Sequence, residues 1–218
     1  MAQSPQRGLE LILNRAPVLP VIVIDRLAEA VPLARALVAG GLPVLEVTLR
    51  SDAALDGIRA MLAEVEGAVV GAGTVLTRKQ VKACRKAGAA FGVSPGATGK
   101  LLDAVAGEGL PFLPGAATAS EAMALLEQGY ALQKFFPAAA IGGAKAVAAL
   151  AQPLPMIRFC PTGGITPETA PDYFRLGNVI TLGGSWMVPR ALIAAGAWDK
   201  IEEMARAAVK LRAPFRKL

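Results

Sequence analysis

The chain has 218 residues, of which 54% are hydrophobic and 18% are charged. This composition favours one large globular domain spanning residues 1–218 and excludes a disordered chain. The net charge of +6 is scattered and only 5% of the residues are aromatic, so we expect an anionic small-molecule substrate and no nucleic acid. The absence of histidine excludes histidine acid–base catalysis and histidine-ligated metal sites.

The N-terminal residues lack the basic-then-apolar profile of a secretion signal. No apolar run is long enough to cross a membrane. The two cysteines, Cys84 and Cys160, have no metal-type spacing and are interpreted as reduced core residues. We therefore expect a cytoplasmic protein without a membrane partner.

Short apolar runs alternate with helical patterns along the whole chain. Eight of these runs predict strands, at residues 18–24, 44–49, 68–73, 89–93, 111–113, 132–136, 156–160 and 179–182. Their continuous hydrophobicity is typical of parallel strands that are covered on both faces. A leading helix at residues 7–14 and a closing helix at residues 199–212 frame the set.

Eight strand–helix units in this length predict an α/β fold, a single-domain (β/α)₈ barrel. The extra N-terminal helix, within residues 1–15, would cap the barrel. A doubly wound open sheet is the alternative, although no G-x-G-x-x-G motif follows the first strand. In a barrel the active site lies at the carboxyl ends of the strands, so polar residues at those positions are the candidates.

Strand two carries a carboxylate and a guanidinium at its end. Glu46 interrupts an apolar run, and Glu46, Thr48 and Arg50 share one face because strand side chains alternate. Small residues and a hydroxyl follow on strand three, where Thr74 comes after a glycine. Pro95 lies in the turn after strand four, where an ordinary turn is the simpler interpretation.

Lys134 lies in strand six, between apolar neighbours. A buried ammonium ion is costly, and a lysine kept neutral is a nucleophile that forms a Schiff base with a ketone. Two structural alternatives remain open from the sequence. The amine could reach water at the strand end, or Lys134 or Arg50 could form a structural ion pair with Glu46.

Strands seven and eight each end in a Gly-Gly pair. Thr162, Gly163 and Gly164 follow strand seven, and Gly183, Gly184 and Ser185 follow strand eight. The loops after these two strands form the common phosphate site of the barrel, where backbone N–H groups converge and a helix N-terminus adds a favourable field. An amine, a carboxylate, a guanidinium and a phosphate site together favour a phosphorylated 2-keto sugar acid as substrate.

Nearly the whole chain resembles the class I 2-keto-3-deoxy-6-phosphogluconate (KDPG) aldolases of the Entner–Doudoroff pathway, also called KHG/KDPG aldolases. The motifs that carry the resemblance are LEVTLR at 45–50, GAGTV at 71–75, SPG at 94–96, KFFPA at 134–138 with GG at 142–143, RFCPTGG at 158–164 and GGSW at 183–186. The family implies a homotrimer of barrels, without metal or cofactor, that releases pyruvate and D-glyceraldehyde 3-phosphate.

The resemblance also implies a role for each matching residue. Lys134 would be the Schiff-base lysine and Glu46 the general acid and base. Arg50 and Thr74 would hold the pyruvate carboxylate. The other implied contacts are the pocket lining by Pro95 and Phe136, the substrate hydroxyl region at Thr162, and phosphate binding by Gly163, Gly164, Gly184 and Ser185.

The chain departs from the family pattern at two places. Ala139 stands where many relatives have an acidic residue, and Ala116 and Ala117 stand where Ile-Ser is frequent. These departures leave substrate range open, including 4-hydroxy-2-oxoglutarate and C4-epimeric substrates. An isomerase or epimerase using the same loops would not need the amine of Lys134, and a non-catalytic trimeric scaffold is a further alternative.

Overall fold

The computed structural model describes residues 6–215 and, at Arg7, the backbone alone. Residues 1–5 of the predicted capping segment and residues 216–218 of the predicted domain lie outside the described residues. No helix within residues 6–215 combines the length and the apolar character that crossing a membrane requires.

Helices and strands alternate along the described chain. The nine strands within residues 6–215 are β1 (Val18–Ile22), β2 (Val44–Thr48), β3 (Val69–Gly73), β4 (Gly92–Val93), β5 (Phe112–Leu113), β6 (Gly115–Ala116), β7 (Leu132–Phe135), β8 (Arg158–Pro161) and β9 (Leu182–Gly184). The ten α-helices of the same range are α1 (Arg7–Asn14), α2 (Ala30–Ala39), α3 (Ala54–Glu64), α4 (Arg78–Lys86), α5 (Gly99–Glu108), α6 (Ala119–Glu127), α7 (Gly143–Ala151), α8 (Ala170–Phe174), α9 (Arg190–Ala194) and α10 (Trp198–Arg212).

The strands form a curled, parallel α/β sheet. Six strands lie in the order β5-β4-β3-β2-β1-β9 and three in the order β6-β7-β8, and every strand pair in both sheets is parallel. Single bridges join Phe159 to Val179 and Thr162 to Gly183, at the side of β8 that faces β9. Strands β1 to β5 are neighbours in chain order, without the reversal that defines a doubly wound sheet, so that alternative is wrong.

Each predicted strand differs from the structure by one to three residues at one or both ends, and two of these differences change the set of strands. The predicted strand at 111–113 is followed by a second short strand, β6, beyond Pro114, because proline has no N–H to give to a ladder. The last strand is Leu182–Gly184, not residues 179–182. Its glycines carry no hydrophobic signal, whereas Val179 has a strong one and forms only an isolated bridge.

Two buried clusters lie on either side of the strands. The larger one fills the space between strands and helices. The smaller one combines Leu9 and Leu13 of α1 with residues of the strands or next to them: Leu19, Val44, Phe91, Val93, Leu113, Leu132, Cys160 and Ile180. Gln6, directly before α1, donates to the carbonyls of Phe112 and Leu132, the first residues of β5 and β7, and accepts from the N–H of Leu132. Helix α1 therefore begins at the amino ends of the strands, opposite to the carboxyl ends where the predicted site residues lie.

Candidate active site

A cavity of about 220 Å³ opens at the carboxyl ends of the strands. All eleven predicted site residues line it: Glu46, Arg50, Thr74, Pro95, Lys134, Phe136, Thr162, Gly163, Gly164, Gly184 and Ser185. The cavity brings together residues from distant parts of the chain: the first and last of these eleven, Glu46 and Ser185, are 139 positions apart (185 − 46). This convergence follows from the parallel arrangement, which places all carboxyl ends at one edge.

Lys134 points into the cavity from β7. Its neighbour Gln133 points the other way and donates to the carbonyls of Ala122 and Tyr130, so the alternation of the strand sets the direction of the lysine. The Lys134 side chain is only 7% exposed and its Nζ lies 3.2 Å from Oε1 of Glu46. The amine therefore does not reach bulk water, and that alternative for Lys134 is wrong.

Phe136 lies beneath the lysine amine. Nζ of Lys134 is 5.3 Å from the centroid of the Phe136 ring. The face of an aromatic ring attracts a cation at this distance. The ring therefore favours any positively charged nitrogen at this position, whether an ammonium or the iminium of a Schiff base.

Glu46 is the carboxylate of the site. Its side chain is 1% exposed, Oε1 accepts from Lys134, and Oε2 is buried without a hydrogen bond within residues 6–215. A buried oxygen without a partner is costly and indicates a position kept for a ligand or a proton. The structure contains the ion pair between Glu46 and Lys134, and no ion pair joins Glu46 to Arg50 in that range.

Arg50 is held by Thr48, a residue to which no separate role was assigned from the sequence. Thr48 donates its hydroxyl to the carbonyl of Ile22 at 2.8 Å, and the same oxygen accepts from Nε of Arg50 at 3.2 Å. The guanidinium is thereby oriented through Nε, which leaves its terminal nitrogens for a bidentate contact with a carboxylate. Both side chains line the cavity.

Thr74 has a left-handed backbone, with φ of 57°. A β-branched residue is rarely found there, because its Cβ crowds the backbone. The neighbouring peptide groups are fixed on both sides, since the Gly73 carbonyl accepts from Leu49 at 2.8 Å and the Val75 N–H donates to Val93 at 3.0 Å. The strain at Thr74 is therefore imposed by two adjacent strands, at a position that lines the cavity.

The Gly-Gly loop after β8 has a conformation that requires glycine. Gly163 has φ of 101° and Gly164 has φ of 72°, and glycine adopts such values without a steric cost. The loop is anchored to the chain after β7, because Ala138 donates to Thr162 at 2.8 Å and Ala139 donates to Gly163 at 3.0 Å. Its backbone is thus fixed beside the cavity before any ligand binds.

The expected helix field at the phosphate loops is not provided by the helices that follow them. These helices, α8 and α9, have five residues each and begin only at Ala170 and Arg190. They are short and lie well beyond Gly164 and Gly184 in the chain. The glycine-rich backbone is the feature that could bind phosphate there.

Cys160 lies directly beside the lysine, paired with Lys134 in the ladder between β7 and β8. Burial raises the pKa of its thiol to about 12, so the thiol is protonated at neutral pH and is not a nucleophile. Burial also raises the pKa of Cys84 to about 11. Both cysteines are free and buried, as predicted. Within residues 6–215, no group of three or more Asp, Glu, Cys or His side chains is placed to hold a metal ion.

Four cavity residues had no assigned role in the sequence analysis: Val21, Thr48, Ile165 and Gly183. The alternation of strand two already placed Thr48 on the correct face. Gly183 belonged to a predicted Gly-Gly pair, and Ile165 follows the other one. Val21 gave no signal, because an apolar residue in an apolar strand is indistinguishable from core.

Comparison with known proteins places the chain in a family. Residues 9–204 match the family model described as KDPG and KHG aldolase. The KHG/KDPG aldolase of Escherichia coli strain K12 is 51% identical over 201 residues, which cover 92% of this chain and 94% of that relative. The chain therefore belongs to the KDPG and KHG aldolase family.

Solved structures agree with this placement. The 2-keto-3-deoxy-6-phosphogluconate aldolase of Zymomonas mobilis ZM4, with 3-phosphoglycerate, is 45% identical and has a TM-score of 0.89, with 95% of this chain and 98% of that chain covered. The KDPG aldolase of Legionella pneumophila, with pyruvate captured as a covalent carbinolamine, is 43% identical and also has a TM-score of 0.89. Here 91% of this chain and 97% of that chain are covered.

Proposed function

We propose that this protein is a class I aldolase that cleaves 2-keto-3-deoxy-6-phosphogluconate reversibly to pyruvate and D-glyceraldehyde 3-phosphate. The observation that carries the proposal is the buried amine of Lys134, 3.2 Å from the carboxylate of Glu46 in a cavity bordered by two glycine-rich loops. The names of the E. coli and Z. mobilis relatives support the substrate, and the carbinolamine of the L. pneumophila protein supports covalent catalysis.

The reaction begins with attack of the neutral Lys134 amine on the C2 ketone. Glu46 lies close enough to take the proton that the ammonium must lose, because 3.2 Å is a hydrogen-bond distance. Loss of water from the carbinolamine then gives an iminium ion. Its positive nitrogen lies near the Phe136 ring, which favours that charge.

Carbon–carbon cleavage needs a base at the C4 hydroxyl. In our proposal Glu46 takes this proton, the C3–C4 bond breaks, and the bonding electrons move into the iminium to give an enamine. Glyceraldehyde 3-phosphate leaves as the aldehyde. Glu46 then returns its proton to C3, and water hydrolyses the imine to release pyruvate and regenerate the Lys134 amine.

The remaining cavity residues would bind the two ends of the substrate. Arg50 and Thr74 hold the carboxylate next to C2, while Pro95 and Phe136 line the surrounding wall. Thr162 contacts the hydroxyl region. The phosphate binds at the second end through Gly163, Gly164, Gly184 and Ser185. These roles are supported by the position of every one of these residues at one cavity.

We extend the proposal to architecture and assembly. Residues 1–218 form one domain, a closed (β/α)₈ barrel capped by the helix within residues 1–15. Closure is supported by the short Pro114 link between β5 and β6 and by the bridge from Thr162 to Gly183. The barrels assemble as a homotrimer, by the family resemblance. The free state of both cysteines supports a cytoplasmic location.

A broader substrate range is the second candidate function. The matching family model and the E. coli relative are both named for KHG as well as KDPG. Cleavage of 4-hydroxy-2-oxoglutarate would use the same lysine and carboxylate but would leave the phosphate loops without a ligand. Relative kcat/KM for the two substrates decides between a specialised and a broad enzyme.

Borohydride reduction in the presence of pyruvate tests the central step. We expect the peptide that contains Lys134 to gain the mass of a reduced pyruvate adduct, because reduction fixes the imine. Lys134→Arg should abolish the adduct, whereas Lys145→Arg, at an exposed lysine, should leave it unchanged. An adduct on another lysine, or turnover by Lys134→Arg at the wild-type rate, would refute the proposal, and absence of turnover in the wild type would favour a scaffold.

A further inference from the structure

Gly73 ends β3 beside the catalytic carboxylate. It pairs with Thr48 in the ladder between β2 and β3. A Cβ atom built at Gly73 would overlap Oε1 of Glu46 and would lie 2.8 Å from its Cγ and 2.9 Å from its Cδ. Carbon atoms do not pack this closely, so the present position of the Glu46 carboxylate exists only because residue 73 has no side chain.

Gly71, two residues earlier, provides a comparison on the same face of the strand. A Cβ built there would overlap the ring of Phe91, and Glu46 is not among its three nearest atoms. Gly71 and Gly73 therefore face the same side of β3, and a side chain from a neighbouring segment occupies the space beside each of them. The space at Gly71 holds a core ring from the chain just before β4, whereas the space at Gly73 holds the carboxylate from β2.

We propose that Gly73 is a positioning residue for proton transfer, because its missing side chain is the space that holds the Glu46 carboxylate against Nζ of Lys134. This inference rests on the proposed function, in which Glu46 moves the protons. A methyl group at residue 73 must displace the carboxylate, since the opposing atoms belong to Glu46 and not to the backbone. The overlapped atom is Oε1, which lies 3.2 Å from Nζ of Lys134, so its displacement changes that distance.

The predicted effect is on the chemical step and not on substrate binding. Gly73→Ala leaves Arg50 and Lys134 in place, so the KM for pyruvate in the exchange of its methyl protons with deuterated water should stay within about twofold. The kcat of this exchange should fall roughly 10²-fold, the usual effect of displacing a reacting group by about 1 Å. Borohydride trapping of pyruvate on Lys134 should still go to completion.

Gly71→Ala is the matched control. It should lower the midpoint of urea unfolding, because Phe91 must move, but the exchange kcat per folded molecule should stay at the wild-type value. A wild-type exchange kcat in Gly73→Ala would overturn the inference. An equal loss of kcat in both variants would also overturn it, because the effect would then come from disturbed packing in general.

A double-mutant comparison tests the contact even where Gly73→Ala folds poorly. In the Glu46→Ala background the opposing carboxylate is absent, so Gly73→Ala should lower the unfolding midpoint less than it does in the wild type. Equal loss in both backgrounds would contradict the contact between Gly73 and Glu46. If the wild type shows neither exchange nor trapping, the proposed function fails, while this stability comparison still decides whether Gly73 shapes the position of Glu46.

Discussion

Thr48→Val removes one hydroxyl group from the site while keeping the shape of the side chain. Thr48 is 2% exposed, and its oxygen links the carbonyl of Ile22 to Nε of Arg50. A hydrogen bond to a charged group contributes about 1.5–3 kcal/mol. If losing this hydrogen bond weakens the binding of pyruvate at Arg50 by the same free energy, the KM for pyruvate should rise roughly 10- to 100-fold, since about 1.4 kcal/mol corresponds to tenfold in affinity.

The same substitution should leave the chemistry almost unchanged. Lys134 and Glu46 make no hydrogen bond to Thr48 within residues 6–215, so kcat for methyl proton exchange of pyruvate should stay within about threefold of wild type. Stability should fall by about 1–3 kcal/mol, because the buried carbonyl of Ile22 loses a donor. Urea unfolding measures this loss separately from the kinetic effect.

Thr48→Ser is the control, because serine keeps the hydroxyl and loses only the methyl group. Thr48→Ser should therefore keep the KM for pyruvate near the wild-type value. A wild-type KM in Thr48→Val would show that the contact does not orient Arg50. A KM that rises equally in Thr48→Ser and Thr48→Val would show that packing, and not the hydrogen bond, is responsible.

Three further outcomes are expected from single substitutions. Glu46→Gln should lower kcat for cleavage and for methyl proton exchange in parallel, by roughly 10²–10⁴-fold; exchange at the wild-type rate would exclude Glu46 as the base. Thr74→Gly should relieve about 1–3 kcal/mol of backbone strain and should cost about 0.5–1 kcal/mol through the greater chain entropy of the unfolded state. The protein should therefore become more stable in urea, while its KM for pyruvate rises. Lower stability would argue against strain at Thr74. Ser185→Ala should raise the KM for the phosphorylated substrate by more than that for 4-hydroxy-2-oxoglutarate; equal effects would argue against phosphate binding at Ser185.

The approximate positions of the strands along the chain and the face that carries the site were predictable because both depend on local patterns. Buried parallel strands are continuous apolar runs, and a polar residue such as Glu46 or Lys134 is conspicuous inside one. Boundaries were less predictable. The strand Leu182–Gly184 is two-thirds glycine, so hydrophobicity pointed to residues 179–182 instead.

The roles of Thr48 and Gly73 could not be predicted from local patterns. The hydrogen bond from Thr48 to Ile22 spans two strands, and the position of Glu46 above Gly73 depends on the register between β2 and β3. A glycine in a strand indicates that some group approaches the backbone closely, but it does not identify that group. Only the three-dimensional arrangement distinguishes Gly73, which faces the Glu46 carboxylate, from Gly71, which faces the ring of Phe91.

The pairing of charges explains how one cavity holds several ionisable groups. Lys134 and Glu46 form an ion pair, and in the proposed function the substrate carboxylate would pair with the positive charge of Arg50. In the proposed mechanism the positive charge would stay on the same nitrogen, near Phe136, when the imine forms, and only a proton would move to and from Glu46. Buried charges are costly unless they are paired. In the proposed function the phosphate is the one charge without a partner. It would bind beside Ser185, an exposed residue of the cavity, where water can share its solvation.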